Sequence, residues 1–225
     1  MKGSYRWTVV ALLFAATAIS YVDRQVLTVL APTLRDDLGI SNTGYASILT
    51  AFLLAYTFMQ PVTGWLIDRI GTRLGFALIM GWWSAAAILH AFGTSVATFA
   101  ACRFLLGMGE AGSWAACVKA VSEWFPRRER GLATGLWSSG VATGLVVSVP
   151  IVAWISLTLG WQWAFILTGL SGFAWLAVWL WIYRVPSAQE TTEPADTARV
   201  PYLSLLRSRN VCYMEIGRAS CRERV

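Results

Sequence analysis

Four ionisable side chains lie inside stretches of sequence that are otherwise apolar, and these are the residues that could do chemistry. Asp23 and Arg24 are adjacent in one stretch, and Arg103 and Glu110 lie seven residues apart in another. At about 3.6 residues per helical turn, that separation places Arg103 and Glu110 on one helix face. Charged groups inside a bilayer are costly and nearly always face a partner, a cavity or a substrate path. We therefore expect them to line a polar site.

The residues around Asp23 and Arg24 indicate which side chains share a direction. Adjacent helical residues point about 100° apart, so Asp23 and Arg24 face different ways, whereas Tyr21 and Arg24 share a side. One interpretation is that the two charges snorkel or pair internally. The other is that they stand on the walls of a polar cavity. Two interpretations also remain for Tyr56, which is either an ordinary aromatic residue of the bundle or a hydrogen-bond donor to the cavity.

The elements that carry these residues are predicted to be transmembrane helices. The chain has 225 residues, of which 56% are hydrophobic and 13% are charged, whereas soluble domains carry about 25% charged residues. Six apolar runs are each long enough to cross a hydrocarbon core of about 30 Å. We place these runs at about 7–32, 44–67, 74–93, 97–121, 131–156 and 162–183. The expected fold class is an all-α membrane protein.

Lysine and arginine residues concentrate at one set of predicted helix ends, and the opposite set holds only Arg35, beside two aspartates. Positive residues favour the cytoplasmic side. Both ends of the six-span unit, the N-terminus included, are therefore predicted to lie in the cytoplasm. The net charge of +6 is explained by this topology, and we expect no nucleic-acid partner. The clustered residues are Lys2, Arg6, Arg69, Arg73, Arg127, Arg128, Arg130 and Arg184.

Three further features concern the ends and contacts of the spans. The segment 32–41 is predicted to be a short external loop, in which Ser41 offers an N-cap hydroxyl to the second helix. His90 falls at a predicted outer boundary, which favours an interfacial role over proton transfer. Gly131, Gly135, Gly140 and Gly144 form two small-x-x-x-small patterns, which predict tight helix packing in the fifth span.

Nothing in the sequence indicates an enzyme. The run from Gly107 to Gly112 matches a dinucleotide fingerprint, but that motif needs a preceding strand and a soluble crossover helix, and neither is predicted. One histidine and four cysteines without metal-binding spacing offer no catalytic set and no metal site. We expect no cofactor.

The turn after the second span has the pattern G-x-x-x-D-R-x-G-x-R, formed by Gly64, Asp68, Arg69, Gly71 and Arg73. This pattern resembles the loop signature of the major facilitator superfamily. The resemblance implies that the six spans are the N-terminal half of a facilitator, whose two halves pair about a central site. It also implies a gating role, in which Asp68 contacts the other half and the arginines form charge pairs that break during alternating access.

The Tyr-x-Asp-Arg motif at Tyr21, the Arg103 to Glu110 segment and the loop from Trp124 to Gly131 together resemble the anion/cation symporters of that superfamily. They are most similar to bacterial proton symporters of sugar acids such as hexuronates and galactonate. The resemblance implies a multi-pass protein of the bacterial inner membrane that carries a small carboxylate and lacks here its C-terminal six-helix half.

Carried over by position, the resemblance implies that Arg24 and Arg103 are the cations of the substrate site, with Tyr21 and Tyr56 as polar cavity residues. It implies that Asp23 and Glu110 couple transport to protons, the proton being the only coupling ion. A guanidinium forks onto a carboxylate, and a desolvated carboxyl binds a proton readily, so both roles are physically sound.

Two other functions stay open from the sequence. The chain could serve a different carboxylate, such as an aromatic acid or tartrate, or it could be a non-transporting membrane sensor or scaffold. Buried charges argue against a scaffold, which gains nothing evident from them. By domain, residues 1–185 are predicted to form the six-helix bundle, 186–214 a cytoplasmic central linker, and 215–225 a non-native tail that resembles a translated sequencing adaptor.

Overall fold

The computed structural model describes residues 2–186 of the chain, and this part consists of helices joined by short turns. The predicted linker at 186–214 and the predicted non-native tail at 215–225 lie, apart from Pro186, outside the described residues and stay predictions. The helices are α1 (Lys2–Val29), α2 (Ala31–Leu38), α3 (Asn42–Ile70), α4 (Thr72–Leu89), α5 (Val96–Glu110), α6 (Ser113–Trp124), α7 (Arg127–Ser138), α8 (Gly140–Leu159) and α9 (Trp161–Ile182), with a 3-10 turn at His90–Phe92.

Five segments within residues 2–186 are long and apolar enough to cross a membrane, namely Tyr5–Val29, Asn42–Ile70, Thr72–Phe92, Arg127–Leu159 and Trp161–Ile182. The all-α membrane fold is therefore confirmed, but the fourth predicted span at 97–121 is not one continuous helix. It is divided into α5 and α6 at Ala111 and Gly112, whose backbones keep right-handed helical angles. Glycines weaken a helix at this point, and the Gly112 N–H bonds to Gly109 O, three residues back.

The prediction of a loop at 32–41 is wrong, because most of that segment forms α2. Pro32 fits the first turn of a helix, where its missing N–H costs nothing. Leu34 is 1% exposed and anchors the helix to the bundle, and Gly39 ends it with a φ of 63°. The predicted N-cap is confirmed, since Ser41 Oγ accepts a hydrogen bond from Gly44 N at 3.1 Å.

The buried apolar residues form two clusters, one toward each end of the bundle. We call the end that holds α2 and the 3-10 turn the α2 end, and the end that holds the start of α1 the N-terminal end. Trp175 and Trp179 belong to the N-terminal cluster, and Phe99 and Phe165 belong to the α2 cluster. Neither cluster contains the buried charged residues, which are 0–3% exposed, namely Asp23, Arg103 and Glu110.

His90 is not interfacial, so that prediction is wrong. The side chain is 0% exposed and stacks on Phe165, with the ring centroids 5.1 Å apart. Its Nδ1 lies 2.8 Å from the Ala86 carbonyl oxygen, which holds the ring inside the helix end. Phe92, two residues further, is 71% exposed, so the buried His90 lies close to the end of the bundle.

Glycine contacts bring α8 against α1. A Cβ atom on Gly140 would lie 2.5 Å from Phe14 O, and one on Gly144 would lie 2.6 Å from Ala18 O. The prediction of tight packing thus holds for these two glycines. It is wrong for Gly131 and Gly135, which have nothing within 4 Å, because both lie on the exposed face of α7.

We expect Gly144→Ala to destabilise the bundle by about 1–3 kcal/mol, because the new methyl group meets backbone that cannot yield. Gly135→Ala is the matched control. It adds the same methyl group in open space and should leave stability unchanged or raise it by about 0.5–1 kcal/mol through helix propensity. Thermal unfolding of the detergent-solubilised protein compares the two variants. Equal melting temperatures would contradict the contact between α1 and α8.

Candidate functional site

An ion pair joins α1 to α5 in the middle of the bundle. Arg24 Nε donates to Glu110 Oε2 at 2.5 Å, and the side chains are 23% and 0% exposed, respectively. Both residues were expected at one cavity, but their direct contact was not predicted. They lie 86 positions apart, so spacing along one helix carries no signal of the pair.

Three aromatic rings surround the Arg24 guanidinium. Its central carbon lies 5.0 Å from the Tyr21 ring centroid, 5.3 Å from that of Phe52 and 4.7 Å from that of Tyr56. Each distance is within the range of cation–π attraction, so the rings hold the guanidinium in one place. Phe52 was not predicted, although its position four residues before Tyr56 on α3 puts both rings on one face.

A cavity opens beside this group, and its wall combines one cation with hydroxyl and aromatic side chains. Tyr21, Tyr56 and Arg24 were expected there, while the six other lining residues were not. No sequence signal sets these six apart from ordinary helix residues, because only the fold brings α6 and α7 beside α1 at the cavity. The lining residues are Thr17, Ser20, Tyr21, Arg24, Tyr56, Ser113, Trp114, Cys117 and Trp137.

Asp23 and Arg103 lie elsewhere, in the interior between helices, and neither lines this cavity. They are 3% and 2% exposed. Thr168 and Trp83 lie close to the Asp23 carboxylate, but neither of its oxygens reaches hydrogen-bonding geometry with a described residue. The expectation that Asp23 and Arg24 face different ways therefore agrees with the structure, and the predicted site residues fall into two groups.

Arg103 connects the two groups electrostatically. It interacts with Glu110 on the cavity side and with Asp23 in the interior. Its Nε and Nη2 atoms are buried and have no hydrogen-bond partner among the described residues. Glu110 also acts directly on Asp23, so a change of charge on either acid alters the field at the other.

The predicted gate motif lies at the N-terminal end. Asp68 Oδ1 accepts a hydrogen bond from Lys119 Nζ at 2.9 Å, and Lys119 also donates to Ile67 O at 2.9 Å. Gly71 has a φ of 86° and joins α3 to α4, a conformation that favours glycine. Gly64 has open space around it. The motif thus ties the turn to α6, and its contact with a second half stays a prediction.

The two motif arginines contact this bundle. Arg73 Nη2 donates to Leu180 O at 2.6 Å, which ties the start of α4 to the end of α9. The Arg69 guanidinium lies 5.3 Å from the Trp65 ring centroid. Charge pairs that form and break with the other half remain a prediction for both.

A second set of contacts closes the same end. Glu123 Oε1 accepts from the Thr72 hydroxyl at 2.6 Å, and Glu123 Oε2 accepts from the Tyr183 hydroxyl at 2.7 Å. Burial, and then the nearby Glu123 carboxylate, raise the pKa of Tyr183 far above its ordinary value. The phenol therefore stays protonated as a donor, and Glu123 links α4, α6 and the residue that follows α9.

Membrane-length helices around a buried ion pair and a polar cavity define an α-helical multi-pass membrane protein. The family model of the Major Facilitator Superfamily matches residues 13–217. The chain belongs to this superfamily, as the loop motif led us to expect, and the expectation that it is not an enzyme is confirmed.

The curated relatives include proteins named as transporters of sugar acids. The hexuronate transporter of Escherichia coli K12 is 37% identical over 193 residues, covering 85% of this chain and 45% of the relative. The galacturonate transporter of Dickeya chrysanthemi is 36% identical over 185 residues, covering 82% and 54%. The D-galactonate transporter of Escherichia coli O6:H1 is 32% identical over 194 residues, covering 86% and 45%. The chain spans about half the length of these relatives.

Solved structures support the fold. A bacterial homolog of the human lysosomal transporter Spinster, inward-facing and unoccupied, gives a TM-score of 0.75 at 21% identity, covering 90% of this chain and 48% of that one. A proton:xylose symporter bound to 6-bromo-6-deoxy-D-glucose gives 0.67 at 15% identity, covering 82% and 46%. At such identities the likeness shows the fold alone.

We expect Arg24→Leu to lower the free energy of unfolding by about 3 kcal/mol, because it leaves the Glu110 carboxylate buried without its cation. The double variant Arg24→Leu with Glu110→Leu should be more stable than Arg24→Leu alone, since no buried charge remains. Titration with sodium dodecyl sulfate measures the free energy of unfolding of both variants.

The control for this cycle is the exposed Arg6–Glu129 ion pair, whose side chains are 27% and 38% exposed. Its disruption by Glu129→Leu should cost no more than about 1 kcal/mol. Strictly additive effects of the Arg24 and Glu110 substitutions would contradict the coupling of the buried pair.

Proposed function

We propose that the full-length protein containing this chain is a secondary active transporter that moves an organic anion together with protons across the bacterial inner membrane. The substrate class we propose is a hexuronate or aldonate. The observation that carries the proposal is the Arg24 guanidinium, held by three rings at a cavity wall and paired with the buried Glu110. The names of the curated relatives support the choice of substrate class.

The chemistry of the cavity wall suits a sugar acid. A guanidinium binds a carboxylate through paired N–H groups, and Glu110 engages only Nε, which leaves further N–H donors on Arg24. The hydroxyls of Ser20, Ser113 and Tyr56 suit the hydroxyl groups of a sugar, which both donate and accept. Aromatic rings give a sugar its apolar faces to contact.

Competition for Arg24 supplies a route to coupling. An incoming carboxylate and the Glu110 carboxylate are both anions that Arg24 attracts. When Glu110 takes up a proton, it loses its charge, and Arg24 binds the substrate anion more strongly. By linkage, bound substrate favours the protonated form of Glu110 to the same degree. Proton and anion therefore bind together, as symport requires.

The remaining parts of the proposal concern the whole protein. The N-terminus lies in the cytoplasm, the coupling ion is the proton, and no other cofactor takes part. A C-terminal six-helix half pairs with this bundle and completes the site. Asp68, Arg69 and Arg73 act at the gate, with Gly64 and Gly71 shaping the turn, while Asp23 and Arg103 complete the coupling and anion-binding set.

Uptake of labelled glucuronate, galacturonate and galactonate by cells that express the full-length gene tests the function. We expect accumulation of at least one of the three, and we expect a protonophore to abolish it. Uptake of an aromatic acid or tartrate instead would replace the substrate class. No uptake of any carboxylate by a well-inserted protein would favour a sensor or scaffold.

Glu110→Gln should abolish proton-driven accumulation, because the amide cannot take up the coupling proton, while exchange of labelled for unlabelled substrate continues. We expect the internal concentration of substrate no longer to exceed the external one, because without a coupled proton nothing drives the substrate uphill. Glu129→Gln, in the exposed ion pair with Arg6, is the matched control and should transport normally. Full accumulation by Glu110→Gln would show that Glu110 does not couple.

A further inference from the structure

Several buried polar atoms without partners lie together in the interior, away from the cavity. They are both carboxylate oxygens of Asp23, Nε and Nη2 of Arg103, Nε1 of Trp83 and Nε2 of His90. All four residues are 0–3% exposed. Buried polar atoms in proteins nearly always have hydrogen-bond partners, so a group of such exceptions in one place points to a ligand.

Electrostatic interactions link these side chains. Arg103 interacts electrostatically with Asp23 and with His90, and Trp83 and Thr168 lie close to the Asp23 carboxylate. We call Asp23, Trp83, His90, Arg103 and Thr168 the interior polar cluster. It draws on α1, α4, α5, α9 and the 3-10 turn. Its direction is along the bundle axis, from Asp23 within α1 to His90 near the α2 end.

The ring of His90 is fixed in a way that leaves one free acceptor. The Ala86 carbonyl can only accept a hydrogen bond, so His90 Nδ1, at 2.8 Å, must donate to it. In the neutral ring the proton is then on Nδ1, and Nε2 presents a lone pair. Stacking on Phe165 holds the ring plane. Arg103 interacts electrostatically with His90, but neither of its unpartnered nitrogens hydrogen-bonds to His90 Nε2.

We propose that the interior polar cluster binds internal water molecules and that these waters form a path that carries protons between Asp23 and the α2 end. His90 accepts a hydrogen bond from the outermost water and so orients it. A buried water molecule makes about three hydrogen bonds to polar atoms that would otherwise lack partners. Water can accept from the Arg103 guanidinium and donate to His90 Nε2 or to the Asp23 carboxylate. No direct contact between residues of the cluster supplies both an acceptor for Arg103 and a donor for His90 or Asp23.

The proton balance of the path is simple. A hydronium ion in bulk water at the α2 end gives a proton to the outermost internal water, and each water passes one proton inward. In the last step an O–H bond to an Asp23 oxygen forms as an O–H bond of the adjacent water breaks. Release follows the reverse order. His90 keeps its own proton on Nδ1 throughout.

The path does not run along the wall of the cavity. Asp23, Arg103 and His90 do not line the cavity that holds Arg24. The charged and titratable groups that act on Arg103 from its surroundings are Glu110, Tyr45, Asp23 and Arg24, and α9 contributes the uncharged Phe165 and Thr168. The inference rests on the proposed proton-coupled function, which it deepens by assigning a role to His90.

Three variants of the full-length protein in liposomes test the proposal, with labelled galacturonate as the probe. His90→Leu removes the acceptor, His90→Gln keeps an acceptor oxygen, and Phe92→Leu changes an exposed ring of the same 3-10 turn without removing a polar atom. We expect His90→Leu to slow uptake driven by a pH gradient by about tenfold. Counterflow without a gradient should stay within about twofold of the wild type, and the other two variants should transport normally.

The outcomes separate the inference from the function on which it rests. If the wild type shows gradient-driven uptake and His90→Leu matches it, or if His90→Leu slows counterflow equally, the role of His90 is refuted and the symporter stands. If the wild type shows counterflow but no gradient-driven uptake, proton coupling is refuted and the path with it. An experimental density map that shows ordered water elsewhere in the bundle but none between Arg103 and His90 would also overturn the proposal.

Discussion

The burial of the Glu110 carboxylate is the constraint on which the arrangement of this bundle depends. A charge withdrawn from water at the middle of a membrane needs a counter-charge and hydrogen bonds, and Arg24 supplies both from α1. Arg24 in turn needs the rings of α3, and these arrive because α3 and α5 approach closely. A Cβ on Gly107 would lie 2.6 Å from Phe52 O, so a larger residue there would push the rings away from the guanidinium.

The same constraint separates the two acids. Because consecutive helical residues point in different directions, α1 presents Arg24 to the cavity and Asp23 to the interior. Arg103 lies within the electrostatic reach of both acids. The bundle therefore holds two carboxyl groups in two environments, one beside the proposed substrate and one behind it, with a shared cation. Such an arrangement allows the charge state of one side to alter the other without a change of backbone.

Local pattern was enough to predict five of the six spans, the Ser41 cap and the division of Asp23 from Arg24. It was enough for the family, because the turn from Gly64 to Arg73 is a local motif. It could not pair Arg24 with Glu110, which meet only when two distant helices pack. It also misplaced His90, since the boundary position predicts an interface while Phe165, contributed by α9, covers the ring. The helix α2 was not predicted because the residues after Leu34 are polar, and one buried leucine holds this helix against the bundle.

The proposed function gives a reason for the pairing of Arg24 with an acid. In the transporter proposed above, a cation that holds the carboxylate of a solute between two halves requires an acid to balance it when the site is empty. Glu110 meets this requirement from the same bundle. In the transporter proposed above, the ion pair need not break when the halves separate, because both partners belong to the same bundle. Glu110 then keeps its counter-charge during movement between conformations, and a proton or a substrate anion can take the place of one partner.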